Sequence, residues 1–135
     1  MNIAHWIEKW AVATPEKIAI RFEGQEISYP KFNDRIKASA RMLKNGLDVK
    51  PGDRVACLGQ NHPQVLALVF AYARLGAIFV PLNWRLAPKE HLHMLKDSGA
   101  GILFVDEPYR EQCEELKNEL PDCQFIAVQV SWAKR

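Results

Sequence analysis

Apolar positions change their period along this chain, and the changes mark its elements. Ile3, Trp6, Ile7, Trp10 and Ala11 recur at i, i+3, i+4, i+7 and i+8, so residues 2–13 are expected to form an amphipathic helix. Thr14-Pro15-Glu16 breaks it. Residues 18–22 and 25–29 read as two short strands that meet at Glu23-Gly24, a hairpin turn. Pro30 suits the first helical position. Tyr29, Phe32, Ile36, Ala40 and Leu43 then line one helix face up to Gly46, a stop signal.

After a turn at residues 50–53, residues 54–58 read as a strand. Gly59-Gln60-Asn61-His62 joins it to the run 65–72, which is apolar on every side and is expected to be a helix buried all round. Gly76 ends that helix. Ile78-Phe79-Val80 lacks polar alternation, which predicts a strand covered on both faces and central in its sheet. Pro81 is expected to stop the ladder, leaving Leu82-Asn83-Trp84-Arg85 as a loop at the strand's carboxyl end. Pro88 restarts a helix with Leu92 and Leu95 inward, ended by Ser98-Gly99. Residues 101–105 form a strand, and Pro108 opens a helix with Tyr109, Cys113, Leu116 and Leu120 inward. Residues 125–130 form a last strand.

The alternation predicts an α/β fold: a doubly wound, mostly parallel sheet with flanking helices, preceded by an N-terminal helix and short hairpin. The expected division is 1–29 for helix plus hairpin, 30–130 for the alternating part, and an unmatched tail at 131–135. A sheet that stops straight after a strand leaves an open edge, so the chain reads as a fragment, or as half of something larger.

The totals narrow the function. A chain of 135 residues is one domain long and too short for a two-lobed enzyme. A net charge of +2 gives no reason to expect nucleic acid. The run 65–73 is too short to span a bilayer, and Glu8 and Lys9 spoil a secretory signal. Cys57, Cys113 and Cys123 are odd in number and lack C-x-x-C spacing, which fits reduced thiols and a cytoplasmic location. Lys31, Arg35, Lys37, Arg41 and Lys44 flank one apolar stripe. They read first as a solvated face, with weak peripheral contact to an anionic membrane as the alternative.

Candidate chemistry is sparse. No G-x-x-x-x-G-K-[ST] occurs, and Gly99-Ala100-Gly101 precedes a strand where a dinucleotide site needs to follow one. His91 and His93 are two apart and point in different directions on a helix, so they cannot share a metal and read as surface histidines. No cysteine or serine has a nucleophile setting. The loops at 83–86 and 106–110 both follow buried parallel strands and could share a rim. There Arg85 and Arg110 either offer two guanidiniums to a phosphate or pair with neighbours such as Glu107 and Glu111.

Five ordered motifs carry a resemblance. Arg74, Gly76, Ala77, Pro81, Leu82 and Asn83 fit "(L)(K)xGAxxxPLN", with Arg85 in the "PLNxRL" variant. Thr14-Pro15-Glu16-Lys17-Ile18-Ala19 looks like "xPxxxA", and Ile27-Ser28-Tyr29-Pro30-Lys31-Phe32 like "(L/I)(T/S)Yx(E/K)(L/F)". Gly46-Leu47 with residues 50–55 looks like "G(V/L)xxGDRV", and Asn61 with Pro63 fits the asparagine motif before the apolar helix. Together they resemble the N-terminal portion of adenylate-forming, AMP-binding acyl-CoA synthetases, most closely the fatty-acyl-CoA ligases.

The resemblance implies a two-step ligase. A carboxylate attacks the α-phosphate of ATP, and CoA then displaces AMP to give the thioester, with Mg²⁺ neutralising phosphate charge. ATP, Mg²⁺ and CoA belong to the full-length family enzyme, and no cofactor is expected for this chain alone. The family's Ser/Thr/Gly-rich phosphate loop ending in "PKG", its ribose-binding aspartate and its catalytic lysine match nothing here. No catalytic residue or metal ligand is therefore assigned, and whether the chain is itself an enzyme stays open. By position, Asn83, Trp84 and Arg85 correspond to the loop lining the pantetheine tunnel, and Arg110 to an arginine approaching the CoA nucleotide. Ala87 departs from the usual Thr or Ser. The expected partners are the remainder of the ligase or a second copy through the sheet edge, with fatty acid and CoA bound only in the full assembly. The rival reading is a non-catalytic docking fragment or truncated product that pairs through that edge. A flavodoxin-like module is disfavoured, because its phosphate loop would be Gly59-Gln60-Asn61-His62, with one glycine and no Ser or Thr.

Overall fold

The structure, a computed structural model, describes residues 2–128. The unmatched tail at 131–135 and the end of the last expected strand lie outside them. The chain divides into two compact units, one built from residues 2–51 and 61–77 and the other from 52–60 and 78–128.

The first unit opens with a 3-10 turn, Ile3–His5, leading into α1 (Trp6–Ala13). Strands β1 (Ile18–Phe22) and β2 (Gln25–Ser28) pair antiparallel. Their turn holds Glu23 at φ 48° and Gly24 at φ 77°, the doubly positive geometry that two-residue hairpins favour. Helix α2 (Tyr29–Arg41) starts where Ser28 accepts a hydrogen bond from the Lys31 N–H at 3.4 Å. The "(T/S)Y" motif is thus an N-cap followed by the first helical residue.

Phe32, Ile36 and Leu43 are buried as their spacing predicts. Helix α3 (Pro63–Leu75) is capped by His62, whose Nδ1 accepts from the Gln64 N–H at 3.0 Å. Its end turns through Gly76 at φ 72°, where an added Cβ would also lie 3.3 Å from Pro51. Phe70 meets Phe32 edge-on at 5.9 Å. Arg74, at the motif's basic position, donates from Nε to the Ala4 carbonyl (3.2 Å) and from Nη2 to Asn33 Oδ1 (2.6 Å). It ties the start of the chain and α2 to α3. The expectation that α3 is buried all round needs correction. Ala67, Leu68, Ala71 and Tyr72 are buried, but Leu66 is 43% exposed; more than half of a folded protein's accessible surface is apolar, so one such residue on an outer face is ordinary.

The second unit is a four-stranded parallel sheet, ordered β4-β3-β5-β6. Its strands are β3 (Arg54–Leu58), β4 (Ile78–Leu82), β5 (Ile102–Asp106) and β6 (Gln124–Val128). Helix α4 (Pro88–Ser98) links β4 to β5. A 3-10 turn, Glu107–Tyr109, the short α5 (Arg110–Glu114) and a second 3-10 turn, Lys117–Glu119, link β5 to β6.

The fold class expected from the alternation is present. The central strand is not the one the sequence suggested. β3 and β5 are interior and almost wholly buried, whereas β4 is an edge with Ile78 46% exposed. Pro81 does not stop the ladder; it pairs opposite Cys57 inside β4. An edge is where a proline can sit, because its missing N–H then faces no partner strand. The helix expected after Pro108 is broken into three short turns, yet Cys113 and Leu116 still face inward.

Candidate functional site

Parallel pairing brings the carboxyl ends of all four strands to one rim. The chain leaves β3 for its neighbour β4, then returns past β3 to β5. The winding direction therefore reverses between β3 and β5, and ligands of open α/β sheets bind outside that switch point.

Three loops of this unit meet there. After β3, Gly59 lies so close to β5 that an added Cβ would sit 3.0 Å from the Asp106 Cβ. Any side chain would push the two strand ends apart, which accounts for glycine. Gln60 Nε2 donates to the Tyr109 hydroxyl at 3.1 Å. After β4, residues 83–86 form a turn in which the Leu86 N–H donates to the Asn83 carbonyl (3.0 Å) and the Arg85 N–H to Asn83 Oδ1 (3.0 Å). Trp84 leans on Tyr109 with ring centres 6.3 Å apart and planes tilted by 49°. The Arg85 guanidinium lies 5.1 Å from the centre of the Trp84 ring, within cation–π range. Gln60, Tyr109, Trp84 and Arg85 thus form one connected string along the rim.

Asn83, Trp84 and Arg85 are therefore where the sequence placed them, on an exposed loop at a strand's carboxyl end. Arg110 stands beside Tyr109, but its side chain turns to its own helix. Nη1 is 3.4 Å from Glu107 and Nε 3.9 Å from Glu114. Of the two readings of Arg110, pairing with neighbours is the one its geometry shows, with Glu114 in the place expected for Glu111. The next face of α5 borders a cavity of about 150 Å³ floored by Val105, Phe125 and Ala127. There Glu114 also takes Lys117 at 3.0 Å, so the basic groups are already balanced. Among the described residues, no group of three or more His, Cys, Asp or Glu is placed to hold a metal ion.

Beneath the rim, the Cys57 thiol is pushed up to about 11, first by burial and then by the Asp106 carboxylate. A thiol held protonated is a poor nucleophile.

Two features were missed in the sequence. Tyr109 was assigned only to an inward helix face, and nothing in its spacing announces contacts to both Gln60 and Trp84. His91 was read as a surface residue, yet it is fully buried, with Nε2 2.8 Å from the Asn83 carbonyl. Its signal was available: His91 lies four residues before Leu95, so both occupy one helix face.

Helix α4 also shows what Ala87 costs. Glu90 Oε2 accepts from the Ala87 N–H at 2.7 Å, half of a capping box. Ala87 has no side-chain oxygen to complete the box, and the Glu90 N–H donates instead to the Ala87 backbone carbonyl at 3.0 Å. Its backbone, at φ −76° and ψ 156°, is already that of an N-cap. Ala87→Ser is expected to raise stability by about 1 kcal/mol, seen as a higher urea midpoint. An unchanged midpoint would show that the cap is not limiting.

Comparisons with known proteins agree with this fold. The family described as AMP-binding enzyme matches residues 7–134. The chain is 39% identical over 127 residues to an indoleacetate–CoA ligase of Aromatoleum aromaticum, covering 94% of this chain and 25% of that protein. It is 42% identical over 115 residues to a feruloyl-CoA synthase of an Amycolatopsis species, covering 85% and 23%. Among solved structures, it is similar to O-succinylbenzoate coenzyme A synthetase of Bacillus subtilis in complex with ATP and magnesium. That likeness has a TM-score of 0.79 and 32% identity, over 90% of this chain and 32% of that one. It is likewise similar to a fatty acyl CoA synthetase of Mycobacterium tuberculosis, with a TM-score of 0.85 and 27% identity, over 94% and 26%. The chain spans about a quarter of the length of the curated relatives named here, and it belongs to the AMP-binding enzyme family of adenylate-forming, acyl-CoA-synthetase-like ligases.

Proposed function

We propose that this chain is a segment of an ATP-dependent ligase that converts a carboxylic acid to its acyl-adenylate and then to its CoA thioester. The observation that carries the reading is the family match across residues 7–134, on a parallel sheet whose carboxyl rim holds the "PLNxRL" turn. The overall resemblance to fatty-acyl-CoA ligases suggests a fatty acid, while the names of two relatives, indoleacetate–CoA ligase and feruloyl-CoA synthase, make an aryl acid the competing substrate. Asn83, Trp84 and Arg85 are read as the CoA-facing side of the site, with Arg110 behind them. Arg85 is held by stacking, so it can swing to a phosphate at little cost. Arg110 would first have to leave Glu107 and Glu114, exposed pairs that are each worth little. ATP and Mg²⁺ would be held by groups that these residues do not supply.

The 135 residues alone are proposed not to adenylate. The test is ATP–pyrophosphate exchange by the isolated chain with a long-chain fatty acid and with ferulate. The expected result is no exchange with either acid. Measurable turnover would mean that the phosphate loop and catalytic lysine are not needed as argued. The coding sequence that follows residue 135 tests the ligase reading itself: an in-frame Ser/Thr/Gly-rich loop ending in "PKG" supports it, and unrelated sequence overturns it.

The second reading is a docking piece that pairs with another chain or with itself through the edge of the last strand, β6, which ends the β4-β3-β5-β6 order on the side opposite β4. Pro81 blunts the β4 edge alone; the family match across residues 7–134 is what makes the ligase reading preferred. A concentration-independent monomer in sedimentation would remove the self-pairing version.

A further inference from the structure

We propose that His91 is a positioning residue that holds the Asn83–Leu86 turn, and through it Trp84 and Arg85, in the geometry in which they meet ligand. The inference rests on reading that turn as the CoA-facing side of the site.

Side chains on a helix lean toward its N-terminus. His91 lies one turn inside α4, so its ring reaches back over the loop that feeds the helix. The ring is fully buried, and Nε2 stands 2.8 Å from the Asn83 carbonyl, eight residues earlier. A carbonyl only accepts, so Nε2 carries the proton and donates. That carbonyl also accepts from the Leu86 N–H at 3.0 Å. One oxygen is therefore shared by the bond that closes the turn and the bond that ties the turn to the buried face of α4.

The choice of residue is informative. The other buried residue of this helix is Leu95, which lies in an apolar cluster with Leu82 and Leu103. A leucine at 91 would bury no polar atom there. Imidazole does so, and its Nδ1 is buried with no hydrogen-bond partner among the described residues. An unpartnered buried polar atom is destabilising. A residue that carries this penalty and also makes a bond from helix to turn is better explained by the bond than by packing. The turn's internal bonds lie at the exposed surface, where water competes for them. The His91 bond is part-buried, with its ring fully enclosed, so water competes less for it. It fixes the carbonyl of the residue that precedes Trp84, and so the direction in which Trp84 and Arg85 leave the strand.

The experiment is nuclear magnetic resonance on the 135-residue chain as wild type, His91→Leu and His91→Gln. In the wild type, the His91 ring nitrogens should report the Nε2–H tautomer, and the Trp84 ring should show cross-relaxation to Tyr109. In His91→Leu the sheet amides should keep their protection, and the Trp84–Tyr109 cross-peak should weaken. The Leu86 amide should exchange about tenfold faster, the factor that one hydrogen bond of ordinary net worth supplies. His91→Gln, with an amide N–H in place of the ring donor, should restore both. A wild-type Nδ1–H tautomer overturns the proposal without any variant having to fold. Wild-type behaviour of Leu86 and Trp84 in His91→Leu overturns it too. In the full-length ligase, where coenzyme A binds, His91→Leu should raise the KM for coenzyme A several-fold and leave ATP–pyrophosphate exchange unchanged. Loss of Leu86 protection with an unchanged KM overturns the ligand reading of the turn and reduces His91 to a structural tie.

Discussion

Leu103→Ala is expected to lower the unfolding free energy by about 2–5 kcal/mol, the range for deleting a buried leucine side chain. Leu103 is fully buried on the interior strand β5. It shares a cluster with Ala56, Leu58, Leu82, Leu95, Ala100, Val105 and Cys113. Those neighbours come from three strands, two helices and the turn that holds Ala100, so a cavity at 103 has no single flexible element that can collapse into it. Ala56 and Ala100 are small already and cannot lean inward to fill the space. Small domains hold only about 5–15 kcal/mol in total, so the variant should sit near its folding threshold at 25 °C. Urea unfolding measures this as a lower midpoint at unchanged slope. Leu103→Met, which conserves volume, should lose less than about 1.5 kcal/mol. If both variants unfold together with the wild type, this cluster is not the core of the second unit.

What the sequence revealed follows from what each physical signal encodes. Periods of 3.6 and 2 report which face of an element is buried, so the β1–β2 hairpin, α2 and the parallel alternation were legible. α1 is present as a helix, but its apolar stripe is not an inward face: none of its residues is buried, and Trp6 and Trp10 are 47% and 44% exposed. Turn chemistry was legible as well: Gly76 takes the left-handed backbone that ends α3. Strand order was not. An apolar run shows that a strand is covered, but Ile78-Phe79-Val80 and Ile102 to Val105 look alike in that respect. Only pairing separates the edge from the interior. Pro81 was the available clue, since a proline inside a ladder points to an edge, and it was read as a stop signal.

The site was partly legible for the same reason. Asn83, Trp84 and Arg85 could be placed because a loop after a strand is a local feature. The rim's cross-links could not: Gln60 reaches Tyr109 across 49 residues of sequence, and no periodicity reports a contact at that distance. Gly59 belongs to the same class, because its reason is the nearness of Asp106 on another strand.

Alkaline unfolding is expected to be steeper than lysine and tyrosine titration alone would make it, because the buried thiols resist ionisation. Cys57 and Cys113 are each pushed up from 9.0 to about 11. Burial is the largest cause at both, followed by Asp106 at Cys57 and by Glu114 at Cys113, where Lys117 opposes. Both side chains are buried in the folded chain. The sign follows from proton binding. Below pH 9 the thiols are protonated in the folded and unfolded states alike, so they add no pH dependence. Between 9 and 11 the unfolded chain releases protons that the folded chain keeps, and stability falls as pH rises. At pH 10, one unit above the unfolded value, the loss is on the order of 1 kcal/mol for each thiol. The measurement is urea unfolding of the wild type and of Cys57→Ala/Cys113→Ala from pH 8 to 10.5. The double variant carries a constant packing penalty, so the informative quantity is how the gap between the two curves changes with pH. It should narrow as pH rises, because only the wild type has thiols to ionise. A gap that stays constant across that range would mean that the thiols are reached by water in the folded chain and that neither strand β3 nor helix α5 seals them.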